Sequence, residues 1–247
     1  MAQPAACANS RPLRFEKCFD SNIWHQHGPS RGIDRTCWVR LEALRSRPRA
    51  VARGDRLFST GDRLAALYEV HTGFFKTAVG AAGGRCQIVG FQMSGDWLGL
   101  DGIETDRHSC DAVALEDSLV SEMVYPEFTQ LLHDSPGLQR EFHRTLSREI
   151  VRSQTMMLVL GNLGAEERLA TFLLDLTQRL HDRGFAADAL VLRMSREEIG
   201  SYLGLQIETV SRAFTRLQGD GVLKVSQRNV QILDTRALQR ITEGTAA

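Results

Sequence analysis

The chain has 247 residues, 43% of them hydrophobic and 24% charged, with 30 basic and 30 acidic side chains and therefore no formal net charge. This composition excludes a chain dominated by disorder, and the length suits one large domain or two of roughly 100–150 residues. No stretch approaches the roughly 18–20 uncharged apolar residues of a membrane helix, and the start lacks the basic-then-apolar pattern of a secretory signal; a cytoplasmic protein with no membrane partner is expected.

Residues 1–49 show no sustained periodicity, contain the stretch His27-Gly28-Pro29-Ser30, and look helical only across residues 39–44. They read as an extended, partly disordered N-terminal arm. Charge changes after it: residues 1–50 hold nine basic against four acidic side chains, whereas residues 51–135 hold six against thirteen. Such asymmetry assigns different tasks to different segments and places any anionic partner at an end.

Residues 50–135 read as an antiparallel sandwich or barrel. Short β-type runs at Leu57-Phe58, Leu67-Tyr68-Glu69-Val70, Phe74-Phe75-Lys76-Thr77, Cys86-Gln87-Ile88-Val89-Gly90-Phe91, Ala112-Val113-Ala114-Leu115 and Leu119 to Val124 are separated by Gly61-Asp62, Thr72-Gly73, Gly83-Gly84 and Gly95-Asp96. From Pro136 the period becomes helical. Leu138, Phe142, Leu146, Ile150 and Met157 recur at multiples of three and four residues over 136–162, a span long for an ordinary globular helix. Such a seam needs partners: the β-domain on one side and, on the other, a second copy of the same helix meeting Phe142, Leu146, Ile150 and Met157, with a core helix wholly covered within one chain as the alternative. Near Ile150 and Ser153 the nearest carboxylate, Glu149, is flanked by Arg148 and Arg152, so repulsion across a two-fold axis is expected to be weak.

Residues 161–164 resemble a hinge, and 163–247 form a last unit. There Ser195 caps a helix, Glu198 three residues on completes a capping box, Gly204 supplies a turn, and a second helix begins near Ile207. On that helix Val210, Phe214 and Leu217 make the buried stripe. With Val210 at 0°, Glu208, Arg212, Thr215 and Arg216 fall at about 160°, 200°, 140° and 240° and face outward together. A guanidinium can donate twice to guanine, and a carboxylate can accept from cytosine N4. Glu208 and Arg212, one turn apart, can also brace each other as an ion pair. Thr209, Ser211 and Arg216 flank them as phosphate contacts. The runs Val222-Leu223-Lys224-Val225 and Val230-Gln231-Ile232-Leu233 complete a winged helix–turn–helix.

The fold class is therefore α+β: a jelly-roll-like antiparallel β-roll, a long dimerisation helix and a C-terminal winged helix–turn–helix. An enzyme would need a convergent nucleophile, base and oxyanion donors. The seven histidines are scattered, with no H-E-x-x-H, G-x-S-x-G or P-loop pattern, so no enzymatic function is expected.

With Phe58-Ser59-Thr60-Gly61-Asp62, Gly90-Phe91-Gln92-Met93-Ser94-Gly95-Asp96-Trp97-Leu98-Gly99, Ala165-Glu166-Glu167-Arg168-Leu169, and Ser195-Arg196-Glu197-Glu198-Ile199-Gly200-Ser201-Tyr202-Leu203-Gly204-Leu205 followed by Glu208-Thr209-Val210-Ser211-Arg212, the chain resembles the CRP/FNR family of bacterial transcription regulators over about residues 50–235. The resemblance implies a homodimer on double-stranded DNA, with Glu208, Ser211 and Arg212 reading a TTGAT-type half-site as in the FNR branch, and contacts to RNA polymerase, for which residues 81–85 are candidates. Activation and repression both remain open.

The sensing chemistry departs from both familiar branches. FNR-type sensors hold a [4Fe–4S] cluster on closely spaced N-terminal cysteines and one β-roll cysteine, because the thiolates must converge on one cuboid. Here Cys7, Cys18 and Cys37 are widely spaced, no C-x-x-C pair occurs, and Ser121 stands at the β-roll position. Cys86 and Cys110 would require another geometry. No cofactor or metal is expected, with an atypical redox- or oxygen-responsive cysteine set as one alternative and a β-roll small-molecule site as another. The cyclic-nucleotide branch uses Gly-Glu and Arg-Ser steps; this chain shows Gly95-Asp96 and His108-Ser109, with Arg107 one place early and so on the opposite face of a strand.

Overall fold

The computed structural model describes residues 33–80, 84, 86–185 and 189–243. The first element, α1 (Arg35–Leu44), is capped by Asp34, whose carboxylate accepts from the Cys37 amide at 2.8 Å. The arm expected over residues 1–49 is thus folded from Ile33 onward. Ile33, Cys37 and Leu41, spaced by four, bury one face against Leu67, Trp97 and Met123, a stripe blurred in the sequence by the apolar Trp38 and Val39 beside it, the first half-buried and the second exposed.

The roll consists of β1 (Arg49–Val51), β2 (Arg56–Phe58), β3 (Ala66–Thr72), β4 (Phe74–Gly80), β5 (Cys86–Met93), β6 (Trp97–Leu98), β7 (Asp111–Ala114) and β8 (Ser118–Val124). They form two four-stranded antiparallel sheets, ordered β1-β8-β3-β6 and β2-β7-β4-β5. Val51, Phe58, Val70, Phe75, Leu98, Ala112 and Val120 fill the space between them. The β3–β4 turn requires Gly73: its φ is +98°, and a Cβ there would lie 2.0 Å from Ser118 Oγ.

Helix α2 (Tyr125–Asp134), absent from the sequence expectation, leads into α3 (Pro136–Asn162), whose N-cap is Ser135. Its 27 residues make a rod about 40 Å long. Phe142 does not belong to a dimer seam: it is 5% exposed and packs against Trp97 and Phe128, with ring centroids 6.1 and 5.2 Å away. The early turns of α3 are close enough to the roll to be covered by it, which periodicity cannot reveal. Leu146 is half-buried at the edge of that core, while Ile150 and Met157 are 58% and 65% exposed.

The C-terminal unit contains α4 (Ala165–His181), β9 (Ala189–Val191), α5 (Arg196–Leu203), α6 (Ile207–Gly219), β10 (Leu223–Ser226), β11 (Asn229–Ile232) and α7 (Thr235–Thr242), with sheet order β10-β11-β9. Its core of Leu169, Leu173, Ile199, Leu203, Val210, Phe214 and Leu217 continues into Ile88, Phe91 and Met93 of the roll. Phe91 meets the Tyr202 ring edge-on at 5.1 Å. One hydrophobic core therefore joins the two units.

Candidate nucleic-acid interface

The expected capping box forms at α5: Glu198 N donates to Ser195 Oγ at 3.1 Å, and Ser195 N donates to Glu198 Oε2 at 2.6 Å. Gly204 closes the helix at φ +63°, and Leu205 N donates to Gly200 O at 2.9 Å. Gly200 is a requirement the sequence reading missed, since a Cβ there would come within 2.6 Å of Leu205 O. This tight corner lets α6 cross α5, with Val210, Ala213, Phe214 and Leu217 turned inward.

The other face of α6 is open. Glu208, Ser211, Arg212, Thr215 and Arg216 are all exposed, and Thr209 is half-buried. The structure brings Glu208, Ser211 and Arg212 onto one surface at the N-terminal half of the helix, where the peptide dipoles favour an anion. No ion pair joins Glu208 to Arg212 among the described residues; Arg212 Nη2 instead donates to Thr209 Oγ1 at 3.3 Å. Arg216 also departs from expectation, pairing with Glu166 on the first turn of α4 at 2.9 Å. In the β10–β11 wing, Lys224, Gln227 and Arg228 are exposed, with Gln227 at φ +54° in the turn.

Arg168 positions this unit. Its guanidinium donates to Leu163 O at 2.8 Å, Leu160 O at 2.8 Å and Leu203 O at 3.0 Å, tying the end of α3 to the end of α5. Only its place in Ala165-Glu166-Glu167-Arg168-Leu169 signalled it. A second fastening lies at Asp96, whose buried carboxylate accepts from Arg179, from Arg183 at 2.6 Å, and from the Met93 amide at 2.8 Å. Burial opposes its ionisation, but Arg179, Arg183 and Arg152 outweigh that and hold its pKa below the usual carboxylate value. Lys76 meets Glu198 at 2.7 Å, and Ile88 N donates to Ser201 Oγ at 3.0 Å, fastening β4 and β5 to α5, the helix that precedes α6.

The sensor-related residues are dispersed. Cys7 and Cys18 lie outside the described residues, as do residues 81–83 and 85 of the loop considered for polymerase contact. Cys37 is buried on the inner face of α1, Cys110 is buried inside the roll, and Cys86 is exposed on β5. Burial, and then the nearby Asp101 carboxylate, push the Cys110 thiol pKa upward, away from a thiolate ligand. Ser121 Oγ donates to Ser46 O at 2.8 Å and lies 2.8 Å from His71 Nε2. The described cysteines do not fit a shared iron–sulfur cluster.

Nor do the nucleotide correspondences converge. Asp96 faces Arg179 and Arg183, and His108 is buried, with its ring stacked 3.7 Å from that of Phe58. Arg107 is exposed, as the one-place shift implied, and donates to Gly61 O at 2.7 Å.

On the exposed part of α3, Ile150 and Met157 are joined by Val151 and Leu158. Arg152 points inward to Asp175 at 3.8 Å and lies 3.9 Å from Glu149, while Arg148 lies 3.5 Å from Glu141.

Comparison with known proteins agrees with this arrangement. Residues 48–135 match the model of a cyclic nucleotide-binding domain, and residues 167–241 match that of a Crp-like helix-turn-helix domain. The chain is 44% identical to the transcriptional regulatory protein btr of Bordetella pertussis, over 81% of this chain and 82% of that protein. It is 40% identical to the transcriptional activator protein FnrA of Stutzerimonas stutzeri, over 83% and 84% of the two chains. Against the fumarate and nitrate reduction regulatory protein of Escherichia coli K12 the identity is 37%, over 83% and 82%. The structure of FixK2 from Bradyrhizobium japonicum superposes with a TM-score of 0.74 at 29% identity, covering 81% of this chain and 98% of that one. The chain belongs to the CRP/FNR family of bacterial transcription regulators, and its function is that of a DNA-binding regulator and not an enzyme.

Proposed function

We propose that this chain acts as a homodimer that reads a TTGAT-like palindromic site through Glu208, Ser211 and Arg212, one α6 helix entering each of two successive major grooves. The observation that carries the reading is the shared, exposed face of those three side chains on a helix whose opposite face is locked into the core. Arg212 supplies the paired donors that guanine N7 and O6 accept, and Glu208 the acceptor for cytosine N4. Thr209 contributes a phosphate contact, which Ser211 also borders, and Lys224 and Arg228 of the wing extend it. Arg216 adds another through the guanidinium donors that its Glu166 pairing leaves free.

The dimer forms through Leu146, Ile150 and Met157 of α3, without Phe142. Dimerisation and DNA binding proceed without an oxygen-labile cofactor, a reading supported by the wide spacing of Cys7, Cys18 and Cys37 and by Ser121 at the β-roll position. The regulator works in the cytoplasm and activates transcription, as the name of the Stutzerimonas relative says of that protein, with contact to RNA polymerase as the means. The domain scheme is a β-roll over residues 50–135, a dimerisation helix over 136–162 and a DNA-binding unit over 163–247.

The deciding experiment measures binding to a TTGAT-N4-ATCAA duplex. Arg212→Ala should cost about 1–3 kcal/mol and relax discrimination at one base pair of each half-site. Equal binding by wild type and variant would overturn the recognition assignment.

A further inference from the structure

Between the roll and α3 lies a cavity of about 650 Å³ whose lining includes Trp97, Leu98, Gln92, Ile150 and Gln154. Among the described residues its charged lining is Asp101 and Glu149, with no Lys, Arg or His. At its edge, on the turn Leu100–Gly102, Asp101 is surrounded by donors from the segment that enters β7. Ser109 N donates to Asp101 Oδ2 at 2.7 Å, Ser109 Oγ to the same oxygen at 3.3 Å, and Cys110 Sγ to it at 3.4 Å. His108 Nδ1, itself buried, lies 3.4 Å from Oδ1. A backbone amide, a hydroxyl, a thiol and an imidazole converging on one carboxylate form an anion cradle, since an ionised carboxylate accepts at both oxygens. The Cys110 thiol, kept protonated chiefly by burial and next by Asp101, stays a donor.

We propose that residues 108–110 form a carboxylate-binding cradle which the chain fills with its own Asp101, so that the adjoining cavity is closed to anionic small molecules and open to uncharged ones. A second anion would meet both the resident carboxylate and Glu149 without a cation to offset them. Removing the Asp101 side chain vacates the cradle and leaves its donors facing the cavity, where a free carboxylate of the same size, acetate, fits the same partners.

The test is chemical rescue of the full-length Asp101→Gly protein, followed by thermal unfolding in acetate and in chloride at matched ionic strength and pH. Losing the acceptor for several partly buried donors should lower the melting temperature by about 2–10 °C. Acetate, and not chloride, should restore it saturably. Wild type and Asp101→Asn, whose amide still fills the cradle, should show no acetate-specific gain. If the Gly variant purifies unfolded, the same titration reads recovery of its circular dichroism, and acetate-dependent refolding counts as rescue. Absence of acetate-specific recovery, or an equal gain in wild type and Asp101→Asn, would overturn the proposal. These readouts involve no DNA, so their failure is separate from failure of the recognition assignment.

Discussion

At the scale of single residues, charged groups do two opposite jobs in this protein. Arg212 and Glu208 stay at the surface, where pairing contributes little to stability and their donors and acceptor remain available to a ligand. Asp96, Arg179 and Arg183 are buried together and use theirs up. Replacing Asp96 by Asn leaves two guanidinium groups facing a neutral amide; the expected loss is about 3–5 kcal/mol, read from urea unfolding. The same pair predicts an acid response. Because the folded pKa of Asp96 is below its ordinary value of 3.8, its stabilisation is complete above the unfolded value and is lost as pH falls through the folded one. Acid unfolding followed by circular dichroism should show that loss in the wild type and a shallower slope in Asp96→Asn. Arg212 was legible because its type, spacing and helical face coincide. The partners of Asp96 were not, since Arg179 lies 83 residues away along the chain.

At the scale of elements, α3 divides into two functional halves. Its first turns belong to the roll, so Phe142→Ala should cost about 3–5 kcal/mol of folding stability through a buried cavity and leave the association constant of the folded protein unchanged. Its later turns carry the exposed Ile150 and Met157. Ile150→Glu brings two carboxylates together across the two-fold axis, and sedimentation velocity should show monomer at concentrations where the wild type sediments as a dimer. If aerobically purified, metal-free wild type sediments only as monomer, the cofactor-independent dimer is wrong. Helical periodicity identified the apolar stripe. It could not say which part the chain itself covers, because intramolecular and intermolecular burial impose the same pattern.

At the scale of the whole molecule, the roll and the DNA-binding unit share one core and several fastenings, from Arg168 at the hinge to Lys76–Glu198 at the far side. The recognition helix is therefore oriented by the roll as well as by its own unit. Neutral overall charge has a matching consequence on DNA. With phosphate contacts restricted to α6 and the wing, the logarithm of the binding constant should fall with that of salt by about 0.9 per contact, and Lys224→Ala should reduce the slope by about one contact while leaving base preference intact.

The sequence by itself determined the β-roll, the long helix, the capped two-helix reader and the family, because local periodicity, capping and turn chemistry act over a few residues. Only the tertiary structure decided that residues 33–44 are folded, that Phe142 faces inward, that Arg216 is held by Glu166, and that Asp96 and Asp101 are each enclosed by donors of their own chain. Burial and charge pairing depend on which distant residues meet. The zero net charge, an acidic roll offset by basic ends, is compatible with DNA recognition because α6 leaves its reading face free while the buried charges neutralise one another.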